Sequence, residues 1–164
     1  MYQQGFNIDR ALNDVYNTES CIVINSLNRN LAVYPNAYHY QFQIPNSMGN
    51  VMSVTLTHFI TLAEFPAAPP PLPNAIYITV DELNPTLVYT PNFIQQGTVF
   101  VIPVIFQRTS IEYEAHLEFS NKAIFPKDKR PNIHTLTFTL YNEFGQLIVG
   151  MPDHIMKLQV RSYY

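Results

Sequence analysis

Tryptophan is missing from the 164 residues, cysteine occurs once, and glycine occurs only five times. A single thiol, Cys21, excludes an intramolecular disulfide and a cysteine-built metal site. The five glycines are scattered singly and offer no phosphate cradle. No Gly-x-Gly-x-x-Gly, Walker loop, Gly-x-Ser-x-Gly or His-Glu-x-x-His is present. Charge is scarce too, at 13% of residues against ~25% in a typical soluble domain. Twelve acids against nine bases give a net charge of −3, with no basic surplus to hold a nucleic-acid backbone. The longest apolar run, Val99 to Phe106, is far below the ~20 residues that span a bilayer. Met1 to Asp9 is polar and lacks the apolar core of a signal peptide. The only Asn-x-Thr, Asn84-Pro85-Thr86, is disqualified as a glycosylation acceptor by its proline. Assembly in a reducing, intracellular compartment is the expectation.

What is present is a core in β periodicity. Hydrophobic residues make up 47% of the chain, enough for one packed domain and too much for wholesale disorder. Helical spacing occurs only over Asn7 to Tyr16, where Ile8, Leu12 and Val15 share a face. Elsewhere the period is two. Tyr38, Tyr40, Phe42 and Ile44 alternate with polar residues. So do Met52, Val54, Leu56, His58, Ile60 and Leu62, then Tyr113, Ala115, Leu117 and Phe119. Leu136, Phe138 and Leu140, and Met156, Leu158 and Val160, complete the alternating set. Cys21 to Asn25, Ile76 to Val80 and Val99 to Phe106 read as further strands, the last placed at an edge or bulge by Pro103. Turns are expected at Asn46 to Asn50, Asn84-Pro85, Asn121 to Asn132 and Asn142 to Gly145. Eight antiparallel strands over residues 21–162 predict an all-β chain, a single jelly-roll β-sandwich (21–164) preceded by an N-terminal arm (1–20). A closed eight-stranded barrel would run through short hairpins, whereas several connections here exceed ten residues.

The side chains suggest surfaces rather than chemistry. The five histidines, at 39, 58, 116, 134 and 154, are never paired at i, i+2 or i, i+4. His39, His116 and His134 fall on polar strand faces, and His58 falls among apolar neighbours. Glu112, Glu114, His116 and Glu118 would share one strand face at ~7 Å intervals, too far apart for one metal without oxygen from elsewhere. Cys21 heads Cys-Ile-Val-Ile and reads as buried and inert. Neither a cofactor nor an enzyme is expected. Phe65 to Asn74 contains Pro69, Pro70 and Pro71 and must run extended, as a stiff connection. Lys127, Lys129 and Arg130 form the one basic cluster, solvated or facing an acidic neighbour. Eleven tyrosines include Tyr2, Tyr16, Tyr34, Tyr89, Tyr163 and Tyr164 in loops and near the termini, where ring and hydroxyl suit protein contacts. Met1 to Glu19 has too few large apolar residues to offset the ~1–2 kcal/mol per residue lost on ordering, so a neighbour is expected to fix it.

One stretch is more specific. Cys21 to Asn36 (Cys-Ile-Val-Ile-Asn-Ser-Leu-Asn-Arg-Asn-Leu-Ala-Val-Tyr-Pro-Asn), Tyr40 to Pro45, and Asn50 to Thr57 follow a recurrent order. A strand, a polar turn, Tyr-Pro-Asn, an alternating strand and an Asn-Val-x-Ser-Val strand resemble the opening of jelly-roll structural proteins of nucleocytoplasmic large DNA viruses. Where those proteins carry an Asp-Ser-Arg-Asp-Arg-like turn, this chain reads Asn25-Ser26-Leu27-Asn28-Arg29. Leu136 to Gly145 and Met156 to Val160 are similar to the last two strands of the group. The resemblance implies a virion structural protein, assembled in the host cytoplasm. It would be a minor capsid protein that cements capsomers, or a penton-like vertex subunit. Its partners would be the major capsid protein, other minor capsid proteins and, at a vertex, four further copies of itself. The competing expectation is a non-enzymatic carbohydrate-binding β-sandwich module, since aromatic and amide side chains also suit sugars. The lack of tryptophan and of a secretion signal weighs against it.

Overall fold

A computed structural model describes residues 17–65, 73–83, 98–104, 110–114 and 121–163. These residues form nine strands: β1 (Asn17–Asn25), β2 (His39–Met48), β3 (Val51–Thr61), β4 (Ala75–Val80), β5 (Thr98–Pro103), β6 (Glu112–Glu114), β7 (Asn121–Ile124), β8 (Ile133–Tyr141) and β9 (His154–Tyr163). Helix is confined to two 3-10 turns, Ser26–Asn28 and Lys127–Lys129. The strands make two antiparallel sheets. One has the order β1-β9-β3-β6, with β7 also on β3; the other has the order β2-β8-β4-β5. The expected helix at Asn7–Tyr16, most of the expected arm, and the proline residues 69–71 lie outside the described residues, as do Tyr2, Tyr16, Tyr89 and Tyr164.

Period-two patterning put the core where it was expected. Tyr40, Val54, Leu56, Phe138, Leu158 and Val160 are buried, Phe42 packs against the core from a half-buried position, and Leu117 lies outside the described residues. Both sheets contribute residues to this one apolar cluster. Pro103 sits in β5, at the outer edge of its sheet, where no further ladder partner needs its missing N–H.

Four readings need correction. β1 starts at Asn17, so residues 17–20 of the expected arm are strand, in register with Tyr163 to Val160. Cys21 is exposed rather than buried, because Ile22 and Ile24 take the inward positions and Cys21 and Val23 the outward ones. Asn121–Ile124 is strand rather than turn. The expected strand through 113–119 is described only as far as Glu114, and β7 resumes the pairing along β3 at Asn121. The two pieces therefore line the same edge of β3.

The fourth correction concerns β3. Leu56 pairs with Leu158 but His58 pairs with Lys157, which leaves Thr57 as the extra residue of a bulge. The Thr57 hydroxyl donates to the Lys157 carbonyl at 3.0 Å, giving the bulge a side-chain bond. A bulge moves every later side chain to the opposite face. Val54 and Leu56 point inward before it; Phe59 and Thr61 do so after it. His58, expected among apolar neighbours, is turned out to water with Ile60.

This phase switch sets a stability test. Phe59→Ala should cost ~3–5 kcal/mol in denaturant unfolding, as a fully buried aromatic does, and Ile60→Ala under ~1 kcal/mol. Similar losses from the two would mean that β3 runs without the bulge.

Candidate functional site

The loop after β1 brings a charged group into the interior. Asn25 accepts the Leu27 N–H at 3.0 Å and so caps the first 3-10 turn, a task an aspartate would do equally well. The turn aims Arg29 back under its own loop. Arg29 Nε donates to the Tyr34 carbonyl at 2.9 Å, Nη1 to the Ser26 carbonyl at 2.7 Å, and Nη2 to the Pro35 carbonyl at 3.2 Å. Nη1 also pairs with Asp153 Oδ1, just ahead of β9. The Arg29 side chain is only 6% exposed and Asp153 is 30% exposed, so the pair is partly shielded from solvent.

The network continues inward. Ser26 Oγ donates to Asp153 Oδ1 at 3.0 Å and accepts the His154 N–H at 2.8 Å. His154 is wholly buried, stacked on Phe59 with ring centroids 4.9 Å apart. Its Nδ1 lies 3.1 Å from the Pro152 carbonyl, which can only accept, so Nδ1 carries the proton. Nε2 is then the acceptor for the Tyr40 hydroxyl at 2.9 Å, and this bond crosses between the sheets. Burial pushes the His154 imidazole down to about 4 and raises the Tyr40 phenol well above its usual range. Both are therefore neutral at physiological pH. The three Arg29 nitrogens, Ser26 Oγ, Asp153 Oδ1, the Tyr40 hydroxyl and both His154 ring nitrogens have partners here, so the arrangement holds three segments together.

A second constellation lies at the β2–β3 connection, where the chain passes from one sheet to the other. Lys127 and Lys129 are exposed, whereas Arg130 is half-buried with its guanidinium carbon 5.3 Å from the Tyr163 ring centroid. Arg130 Nε is buried and has no hydrogen-bond partner among the described residues. Asn50 adopts a left-handed φ of 51° in that connection, donates its N–H to Asn132 Oδ1 at 3.1 Å, and receives the Tyr163 N–H at 3.1 Å. Beside them opens a cavity of about 430 Å³ whose lining includes Thr18, Ser20, Asn46, Asn50, Ser162 and Tyr163. Hydroxyls and amides share its lining with Met48 and the Tyr163 ring, which leaves it uncharged and mixed in polarity.

The remaining candidates stay apart. Tyr34 packs edge-on against His39 at 5.4 Å, held by Arg29 rather than free in a loop. Glu114 faces His58 at 3.5 Å on the outer surface, and Glu112 is exposed on the same strand. His116 and Glu118 lie outside the described residues. Among the described residues no three histidine, cysteine or carboxylate side chains converge as metal ligands, and no helix is long and apolar enough to cross a membrane. His154 escaped the sequence reading, although the alternation of Met156, Leu158 and Val160, carried one step back, places it inward.

Two outcomes follow. Asp153→Ala strands the Arg29 charge and should cost ~2–4 kcal/mol, the upper end being limited by the partial exposure of the pair; urea unfolding measures it, and a loss below ~1 kcal/mol would mean the pair holds nothing. The unfolded chain protonates His154 near 6.5 while the folded chain resists until about 4. Its contribution is therefore complete above pH 6.5 and is lost as the pH falls towards 4, a drop of ~3 kcal/mol. His154→Asn should flatten stability across that window, and an unchanged pH profile would contradict a neutral buried imidazole. By comparison of sequence, the chain matches no protein-family model and none of the curated proteins.

Proposed function

We propose that the chain is a jelly-roll structural protein of a large icosahedral DNA virus. It serves as a minor capsid protein that joins or cements capsomers, or as a penton-like vertex subunit. The strand order carries this reading. With β6 and β7 counted as one interrupted strand, eight strands divide four and four between the sheets. The chain changes sheet at every step except β4 to β5. That alternation is how a jelly roll winds, and jelly rolls are common in capsid shells and lectins. Fold alone is a weak warrant for function. Support also comes from the residues of the viral resemblance: Asn25, Ser26, Arg29, Tyr34 and Pro35 form one bonded unit. In this role the chain is non-enzymatic, sits in the capsid after assembly in the host cytoplasm, and contacts the major capsid protein and other minor capsid proteins. The basic residues Lys127 and Lys129 and the Tyr163 corner are its contact surface.

A second reading, a carbohydrate-binding module, is favoured by the uncharged cavity beside Tyr163, whose hydroxyls and amides match sugar hydroxyls. The two are separated by looking for the chain in its particle. Mass spectrometry and density maps of purified virions should find it in the capsid shell, between capsomers or at the vertices. Its absence from purified particles, with retention on a glycan array, would overturn the capsid reading.

A further inference from the structure

The two sheets expose four edges, and three of them are blunted. β5 carries Pro103, and its Val101 backbone is clasped by the Asn121 side chain through an N–H···Oδ1 bond of 2.9 Å and an Nδ2–H···O bond of 2.7 Å. β2 contains Pro45 and loses register with β8 between Gln43 and Met48. The β6/β7 edge is described as two short strands of three and four residues. Proline, bulges and short strands are devices by which edges avoid pairing. β1 has none of them. Its nine residues run in unbroken register on β9, with no proline and no lysine, and no strand pairs with its other side among the described residues. Its one charge, Glu19, is held by Arg161 at 3.0 Å, while Val23 stands 59% exposed.

We propose that β1 pairs antiparallel with β1 of a second copy, about a two-fold axis through Cys21, so that two sheets become one. The sequence is suited to this register. Centring on Cys21 gives all nine residues a partner: Asn17 faces Asn25, Glu19 faces Val23, and Cys21 faces its own counterpart. Outward residues meet outward ones and inward residues meet inward ones, so neither core is disturbed. Charge is complementary as well. Val23 neighbours the exposed Lys157 across β9, so each cross-strand row reads Lys157, Val23, then Glu19 and Arg161 of the second copy. Lys157 makes no ion pair among the described residues, and in the pair it gains a carboxylate one strand beyond Val23. No like charges come face to face. The inference concerns the isolated chain and holds whether or not the chain resides in a virion.

The test is dimerisation of the full chain in reductant, by sedimentation, with variants chosen for the register. Val23→Glu sets two carboxylates opposite each other and should raise the dimer dissociation constant about tenfold or more, while Val23→Lys, facing Glu19, should change it less than about threefold. Both substitutions sit on the outer surface, and circular dichroism checks that each variant folds. Cross-linking by diamide, which takes up the two electrons and two protons of the thiols, reads the axis directly. Facing Cys21 residues lie within the Cα separation a disulfide needs, whereas a cysteine moved to position 19 (Cys21→Ser with Glu19→Cys) would lie ~14 Å from its counterpart. Rapid dimer cross-linking through position 21 and little through position 19 is expected. A monomer at all concentrations, a dimer indifferent to Val23→Glu, or equal cross-linking from both positions would overturn the proposal.

Discussion

A guanidinium withdrawn from water must exchange its hydration for fixed acceptors, and that requirement on Arg29 organises one whole end of the molecule. Three carbonyls and a carboxylate meet it, drawn from the turn after β1, from Tyr34-Pro35, and from Asp153 before β9. Satisfying one side chain thereby fixes the path between β1 and β2 and the entry of β9. Asp153 then positions Ser26, Ser26 positions the His154 backbone, and His154 reaches Tyr40 in the opposite sheet. Apolar packing supplies the larger share of cohesion but is indifferent to direction. The polar chain from Arg29 to Tyr40 supplies the direction, since each member has one geometry in which it is satisfied.

The flanks of the two sheets are finished differently. On one flank, Asn121 spans from β7 to β5, and its amide imitates a strand by both donating to and accepting from Val101. The same amide also donates to the Tyr113 hydroxyl at 2.8 Å, tying β6 to the joint. Thr57, the bulged residue of β3, lies between the stretch that pairs with β7 and the stretch that pairs with β6. On the other flank, the space between the start of β1 and the end of β2 is left as an uncharged cavity.

Much of this was legible because a strand with one wet face writes its burial into its alternation. Leu136, Phe138 and Leu140 needed nothing more. The pattern fails where physics is local. A bulge adds one residue without altering composition, so the alternation of Met52 through Leu62 ran straight past Thr57 and misplaced His58 and Phe59. Asn121-Lys-Ala-Ile is too short and too polar to signal a strand, and only pairing with β3 makes it one. At Cys21-Ile-Val-Ile every residue is apolar, so neither phase could be preferred from sequence. Arg29 was legible as part of a recurrent turn, but its burial depends on Asp153, 124 residues away.

The positions of the last two strands have a consequence for biosynthesis. β8 separates β2 from β4, and β9 separates β1 from β3, so the middle of each sheet is occupied by a strand made after both of its neighbours. A nascent chain that has not yet released them can form the β4–β5 hairpin and lay β6 and β7 on β3, and no other described pairing. β1 and β2 meanwhile wait beside the ribosome with Ile22, Ile24 and Tyr40 uncovered. Long-range pairing of this kind is slow, and the exposed strands are open to foreign partners throughout. Each sheet thus closes from its middle only after the strand that completes it, β8 or β9, has been made.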